Sequence, residues 1–189
     1  MGAAVSYTAS PFCICSTLRT NFAHRKQVEA MLAWAEQHPE YTRCAVLYLF
    51  TYVFLLRLPS EALPAIAGGE GCPDAHSILV CDGSKLTLTL QSRKNRPQGS
   101  QLTRGCWCSK SAATCPVRVL GRIVGSRSPG EPLFGGISSK RAATNLRHML
   151  HETGVKKSSH YRTHDLRRGH ARDLQLAGSY ARLLQGQTL

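Results

Sequence analysis

Between Arg43 and Arg57 the chain runs for thirteen residues without a charge, Cys-Ala-Val-Leu-Tyr-Leu-Phe-Thr-Tyr-Val-Phe-Leu-Leu. A helix that crosses a membrane needs about 20 apolar residues, so this stretch is too short to span one. It is also apolar all round, with no polar stripe to turn toward water. A helix of that kind belongs at the centre of a folded body, covered on every side. The rest of the sequence must supply the cover. The N-terminus lacks the charged start and apolar run of a secretory signal, and the expectation is an intracellular, soluble protein with no membrane partner.

With 189 residues, 42% of them hydrophobic, the chain is long enough to bury one sizeable core. Residues 1–23 show no periodicity and read as an irregular lead-in, with one domain over 24–189. Val28, Met31, Leu32 and Ala35 have helical spacing, stopped by His38-Pro39. After the apolar helix, Ser60 reads as the N-cap of a short helix through Ile66, closed by Gly68-Gly69. The period then changes. Ile78–Val80 and Leu86–Leu90 read as strands, with Gln101–Cys108 as the return strand after a turn at 92–100. Residues 121–136, rich in Gly, Ser and Pro, read as a loop. Ser138 or Ser139 caps a helix that turns Ala142, Leu146, Met149 and Leu150 inward and stops at Gly154. Thr163 reads as the N-cap of a last helix ending near Gly178. The expected fold is α+β, mainly helical, with a small antiparallel sheet.

The charge points to a partner. Lys and Arg number 24 against 11 Asp and Glu, a net +13. From Gly83 to Gly130 there is no acidic residue, while Lys85, Arg93, Lys94, Arg96, Arg104, Lys110, Arg118, Arg122 and Arg127 all lie there. A second basic stretch runs from Lys140 to Arg172, diluted only by Glu152 and Asp165. Two basic segments in one domain favour a polyanion, and nucleic acid more than a lipid surface.

Two short strings carry the chemistry. Arg57 follows the buried helix in Leu56-Arg57-Leu58-Pro59-Ser60-Glu61-Ala62-Leu63. There a charge is costly unless something uses it; the plain structural use is an ion pair with Glu61. His164 and Arg167 share one helix face in Thr163-His164-Asp165-Leu166-Arg167-Arg168-Gly169. Cutting a phosphodiester without metal places negative charge on the non-bridging oxygens, which planar, permanently charged guanidinium groups can clamp. These strings resemble the first-arginine motif and the His-x-x-Arg box of tyrosine recombinases (phage-integrase-like catalytic domains), nearest to the eukaryotic Crypton-like branch. The resemblance covers roughly Arg25 to Gly178.

The resemblance implies a mainly helical DNA-breaking and -rejoining domain from a mobile element. By it, Arg57 and Arg167 hold the scissile phosphate, His164 assists proton transfer, and Lys94 in a β-hairpin reaches the minor groove at the cut. Arg93, Arg96 and Arg168 are further DNA contacts. The partner is double-stranded DNA, with homo-oligomers on paired sites in a complete protein, no small-molecule substrate and no cofactor or metal. Work on chromosomal DNA implies the nucleus. The family's nucleophilic tyrosine should lie several helical turns beyond the second box. Tyr180 comes too early for that role and Leu189 ends the sequence, so the expectation is binding without completed recombination.

Two other readings stay open from the sequence. One is a non-catalytic nucleic-acid-binding relic. The other is a zinc-stabilised interaction domain built on Cys106-x-Cys108-x6-Cys115, a run that resembles a metal knuckle lacking a fourth ligand. Free thiols in and near a strand are the default there, as are buried thiols at Cys72 and Cys81.

Overall fold

The structure is a computed structural model, and it describes residues 21–93 and 96–178. Helix α1 (Arg25–Glu36) buries Val28, Met31 and Ala35 on one face. Helix α2 (Pro39–Val53) begins with Pro39 in its first turn, where a missing N–H is harmless. Every residue of α2 from Cys44 to Val53 is buried. Four helices provide the cover: α1, α3 (Pro116–Gly125), α4 (Ser139–Glu152) and α5 (His164–Leu176) all pack against α2. Among the described residues no helix is long and apolar enough to cross a membrane.

Helix α2 ends earlier than the apolar run. The Leu56 N–H returns to the Thr51 carbonyl at 2.9 Å and the Leu55 N–H to that of Tyr52 at 3.2 Å. This is a Schellman closure in which Leu55, at φ 55°, holds the left-handed position usually given to glycine. The chain leaves it aimed at Arg57 and enters one π turn, Leu58–Ala62. The N–H groups of Ala62 and Leu63 reach back five residues, to Arg57 and Leu58, at 3.2 and 2.9 Å. The Arg57 carbonyl also accepts the Glu61 N–H, at 2.9 Å, and Pro59 sits in the first turn, where its missing N–H is harmless. Ser60 is therefore not a cap; Arg57 holds that position, and the expected helix through Ile66 gives way to a strand.

The sheet has the order β1 (Ile66–Ala67), β2 (Ser77–Cys81), β3 (Lys85–Leu90), β4 (Ser100–Gly105). The β2–β3 and β3–β4 pairs are antiparallel, with Leu79 opposite Leu88 and Leu88 opposite Leu102. The two-residue β1 lies parallel to β2, so the sheet is mixed and not the wholly antiparallel one expected. Leu86, Leu88 and Leu90 alternate into the core. Cys72 and Cys81 are only half-buried.

Helix α3 covers the sheet, packing on β2, β3 and β4 as well as on α2. It overturns the expectation of a loop beginning at 121. Val117, Leu120 and Val124 are buried on its inner face. A Cβ on Gly121 would come within 3.0 Å of the Cys81 sulfur, so this glycine serves close packing. Helix α4 matches its expected face, and Ser138 is its cap, accepting the Arg141 N–H at 3.2 Å. At α5, Thr163 makes no side-chain cap. The neighbouring Asp165 carboxylate accepts the Arg162 N–H instead, at 2.8 Å.

Candidate functional site

The two basic strings, more than a hundred residues apart in sequence, meet where α2 hands over to the π turn and α5 begins. Helix α5 packs directly on α2. The charge of Arg57 is felt at His164, and that of Arg167 at Glu61. Arg57 and Arg167 are both half-buried.

Glu61 organises the first string. It is 2% exposed, where an unpaired carboxylate would be costly. One oxygen accepts the Arg57 backbone N–H at 2.7 Å. The guanidinium that pairs with Glu61 is that of Arg93, at 3.2 and 3.3 Å, not that of Arg57. Burial would raise the Glu61 pKa, but the Arg93 hydrogen bonds, the Arg57 N–H and the charges of Arg93 and Arg167 outweigh it and hold it below 4.5. The same Arg93 guanidinium donates to the Leu55 carbonyl at 3.2 Å, bracing the left-handed turn. Among the described residues, no carboxylate lies within ion-pairing distance of the Arg57 guanidinium.

On the second string, His164 is the first residue of α5 and is exposed. Partial burial and the cations of Arg167, Arg168 and Arg57 hold its imidazole below 6.5 against the opposing charge of Asp165. Near pH 7 the ring is thus mainly neutral. Arg168 stands over the Phe22 ring at 5.0 Å and lies 3.5 Å from Asp165.

The residues read from sequence as DNA contacts therefore divide. Arg57, His164 and Arg167 come together. Arg93 turns inward to Glu61, and Arg168 leans on Phe22 and Asp165. Arg96 is exposed and exchanges backbone hydrogen bonds with Arg93, both at 2.9 Å. Lys94 lies outside the described residues. Nor does the 83–130 basic stretch form one face. Arg104 is 6% exposed and donates to the Val53 carbonyl at the end of α2, at 3.0 Å. Arg118, Arg122 and Arg127 line a cavity of about 620 Å³ together with Arg43, Leu32 and Val46.

Four tyrosines are described, and each is engaged in packing. The Tyr48 hydroxyl donates to the Ala142 carbonyl at 2.6 Å and that of Tyr52 to Asp173 at 2.6 Å. Tyr161 is buried, and Tyr41 packs on Trp34 and His148. Tyr180 lies outside the described residues.

Sequence reasoning missed the clamp that fixes α5 in place. Asp173 accepts from Tyr52, from the Arg25 N–H at 2.9 Å, and contacts His24 Nδ1 at 2.6 Å. Beside it, His170 stacks on Tyr52 with ring centroids 4.4 Å apart and meets the Tyr52 carbonyl through Nδ1. These partners are more than a hundred residues apart, and no local pattern announces them. The sulfurs of Cys106, Cys108 and Cys115 also converge, within 4.8 Å of one another. Comparison of the chain with family models, curated proteins and solved structures finds no match.

Proposed function

We propose that this chain is a double-stranded-DNA-binding domain of the tyrosine-recombinase kind, holding a backbone phosphate between Arg57 and Arg167. The observation that supports it most is the occupancy of Glu61. A buried carboxylate beside Arg57 would ordinarily take that arginine as its partner; Arg93 takes its place. The Arg57 charge is thereby kept for something outside the fold, on the same locus as Arg167 and His164.

Two guanidinium groups can donate forked hydrogen bonds to both non-bridging oxygens of a phosphodiester, and they gain most as charge builds on those oxygens in the transition state. His164, mainly neutral near pH 7, has a ring nitrogen able to take up a proton beside that phosphate. By the family resemblance Lys94 would reach the minor groove at the cut, and a lysine or histidine there would supply the proton for the departing 5′ oxygen. None of the four described tyrosines has a phenol placed to attack, since each is packed or hydrogen-bonded within the fold. That favours binding as the activity these residues carry, with mobile-element recombination in the nucleus as the wider setting.

The test is binding of a fluorescent duplex over a range of salt. Arg57→Ala with Arg167→Ala should weaken binding and flatten the plot of log affinity against log salt by about two phosphate contacts, roughly 1.8 in slope. An unchanged slope in the folded double variant would remove the phosphate grip from the account.

A further inference from the structure

We infer that Cys106, Cys108 and Cys115 form a three-thiolate site for a zinc-like cation that ties the end of β4 to the start of α3. The backbone places all three. Cys106 is the first residue after β4, Cys108 follows two positions later, and Cys115 is the N-cap of α3. The loop between them folds back on itself: Trp107 Nε1 donates to the Thr114 carbonyl at 2.8 Å, and Thr114 is buried with its hydroxyl on Ser111 at 2.8 Å. The sulfurs of Cys106 and Cys115 are 3.6 Å apart. A disulfide would need about 2.0 Å. Two thiolates bound to one tetrahedral zinc at about 2.3 Å stand about 3.8 Å apart, and the observed spacing is close to that edge.

The surroundings suit thiolates. The Trp107 N–H points at the Cys115 sulfur at 3.4 Å and the Cys108 N–H at that of Cys106 at 3.5 Å. Cys115 also sits at the positive end of a ten-residue helix. Soft sulfur donors select zinc and similar thiophilic ions over magnesium or calcium. Among the described residues no histidine or carboxylate joins the three sulfurs. Cys106 and Cys108 are exposed, which leaves the fourth position of a tetrahedral ion within reach of a solvent ligand. Because α3 lies across β2, β3 and β4, the ion would lock the helix onto the sheet. The role is structural and independent of the arginine grip.

The full chain, purified with a non-thiol reductant and dialysed against metal-free buffer after exposure to zinc, should retain one zinc per molecule. Replacement by cobalt should give the intense sulfur-to-metal charge-transfer absorption of a multi-thiolate site. Cys106→Ser and Cys115→Ser should each abolish it, and Cys72→Ser should leave it intact. Zinc near zero with all three thiols open to a thiol reagent would overturn the inference. So would zinc retained in full by Cys115→Ser, or a native Cys106–Cys115 disulfide. Should the serine variants fail to fold, the unmodified chain decides: cobalt bound without the charge-transfer band also refutes the site.

Discussion

Gly169 stands two residues after Arg167 with its missing side chain pressed against the backbone of Ala23. A Cβ there would lie 1.9 Å from the Ala23 carbonyl oxygen, 2.4 Å from its carbon and 3.0 Å from its nitrogen. No flexible side chain can swing away. Ala23 is itself fully buried, and its N–H donates to the Asp165 carbonyl at 3.0 Å. To reach an ordinary contact of about 3.4 Å, α5 and the 21–24 segment must separate by roughly 1.5 Å. Overpacking of this kind costs about 1–3 kcal/mol, and loss of the Ala23–Asp165 hydrogen bond adds about 1 kcal/mol. Alanine returns about 1 kcal/mol through its better helix propensity. Gly169→Ala should therefore destabilise by about 1–3 kcal/mol in urea unfolding, and the displaced Arg167 should weaken duplex binding. Gly125→Ala, at the end of α3 where a Cβ meets nothing within 4 Å, is the control and should be neutral or stabilising by up to about 1 kcal/mol. If Gly169→Ala proves as benign as Gly125→Ala, the close approach of α5 to Ala23 is refuted.

Two further perturbations follow from the buried polar groups. Arg93→Met leaves Glu61 buried with the Arg57 N–H as its remaining close partner, at a cost of about 3 kcal/mol. Adding Glu61→Gln should restore most of that loss, and a double-mutant cycle showing under about 1 kcal/mol of coupling would count against the pair. His170 is buried beside Arg104 and Asp173, and burial first, with Arg104, pulls its pKa from 6.5 to about 4. Its contribution to stability is full above pH 6.5 and is lost as pH falls through that window to 4, on the order of 3 kcal/mol in all. His170→Gln should flatten the fall in unfolding free energy between pH 7 and pH 4.5; an identical fall in both proteins would show that His170 is not the titrating group.

What could be read along the chain was what local periodicity and local chemistry decide. The thirteen uncharged residues before Arg57 required a covered central helix whatever surrounded it. The alternation of Leu86, Leu88 and Leu90 required a half-buried strand, Ser138 a helix start, and the three-residue spacing of His164 and Arg167 a shared face. Helix α3 was hidden because Gly121 and Gly125 look like loop punctuation; the reason Gly121 is tolerated is a sulfur on a strand forty residues earlier. Strand β1 was hidden because its partner is β2 in parallel, a pairing with no hairpin signal.

The site divides along the same line. Residue types and spacing singled out Arg57, His164 and Arg167, because planar, permanently charged groups beside a histidine suit the phosphate grip proposed above. Which arginine would satisfy Glu61 was beyond sequence. Arg57 is four residues from it and Arg93 thirty-two, yet only the turn from α2 into the π helix decides which guanidinium reaches the carboxylate. The spacing of Cys106, Cys108 and Cys115 already marked them as a knuckle, but their sulfurs meet because of where β4 ends and α3 begins. Local order follows from short-range sterics and hydrogen bonds written into neighbouring residues. The pairing of buried charges and sulfurs depends on directions that only a packed tertiary structure supplies.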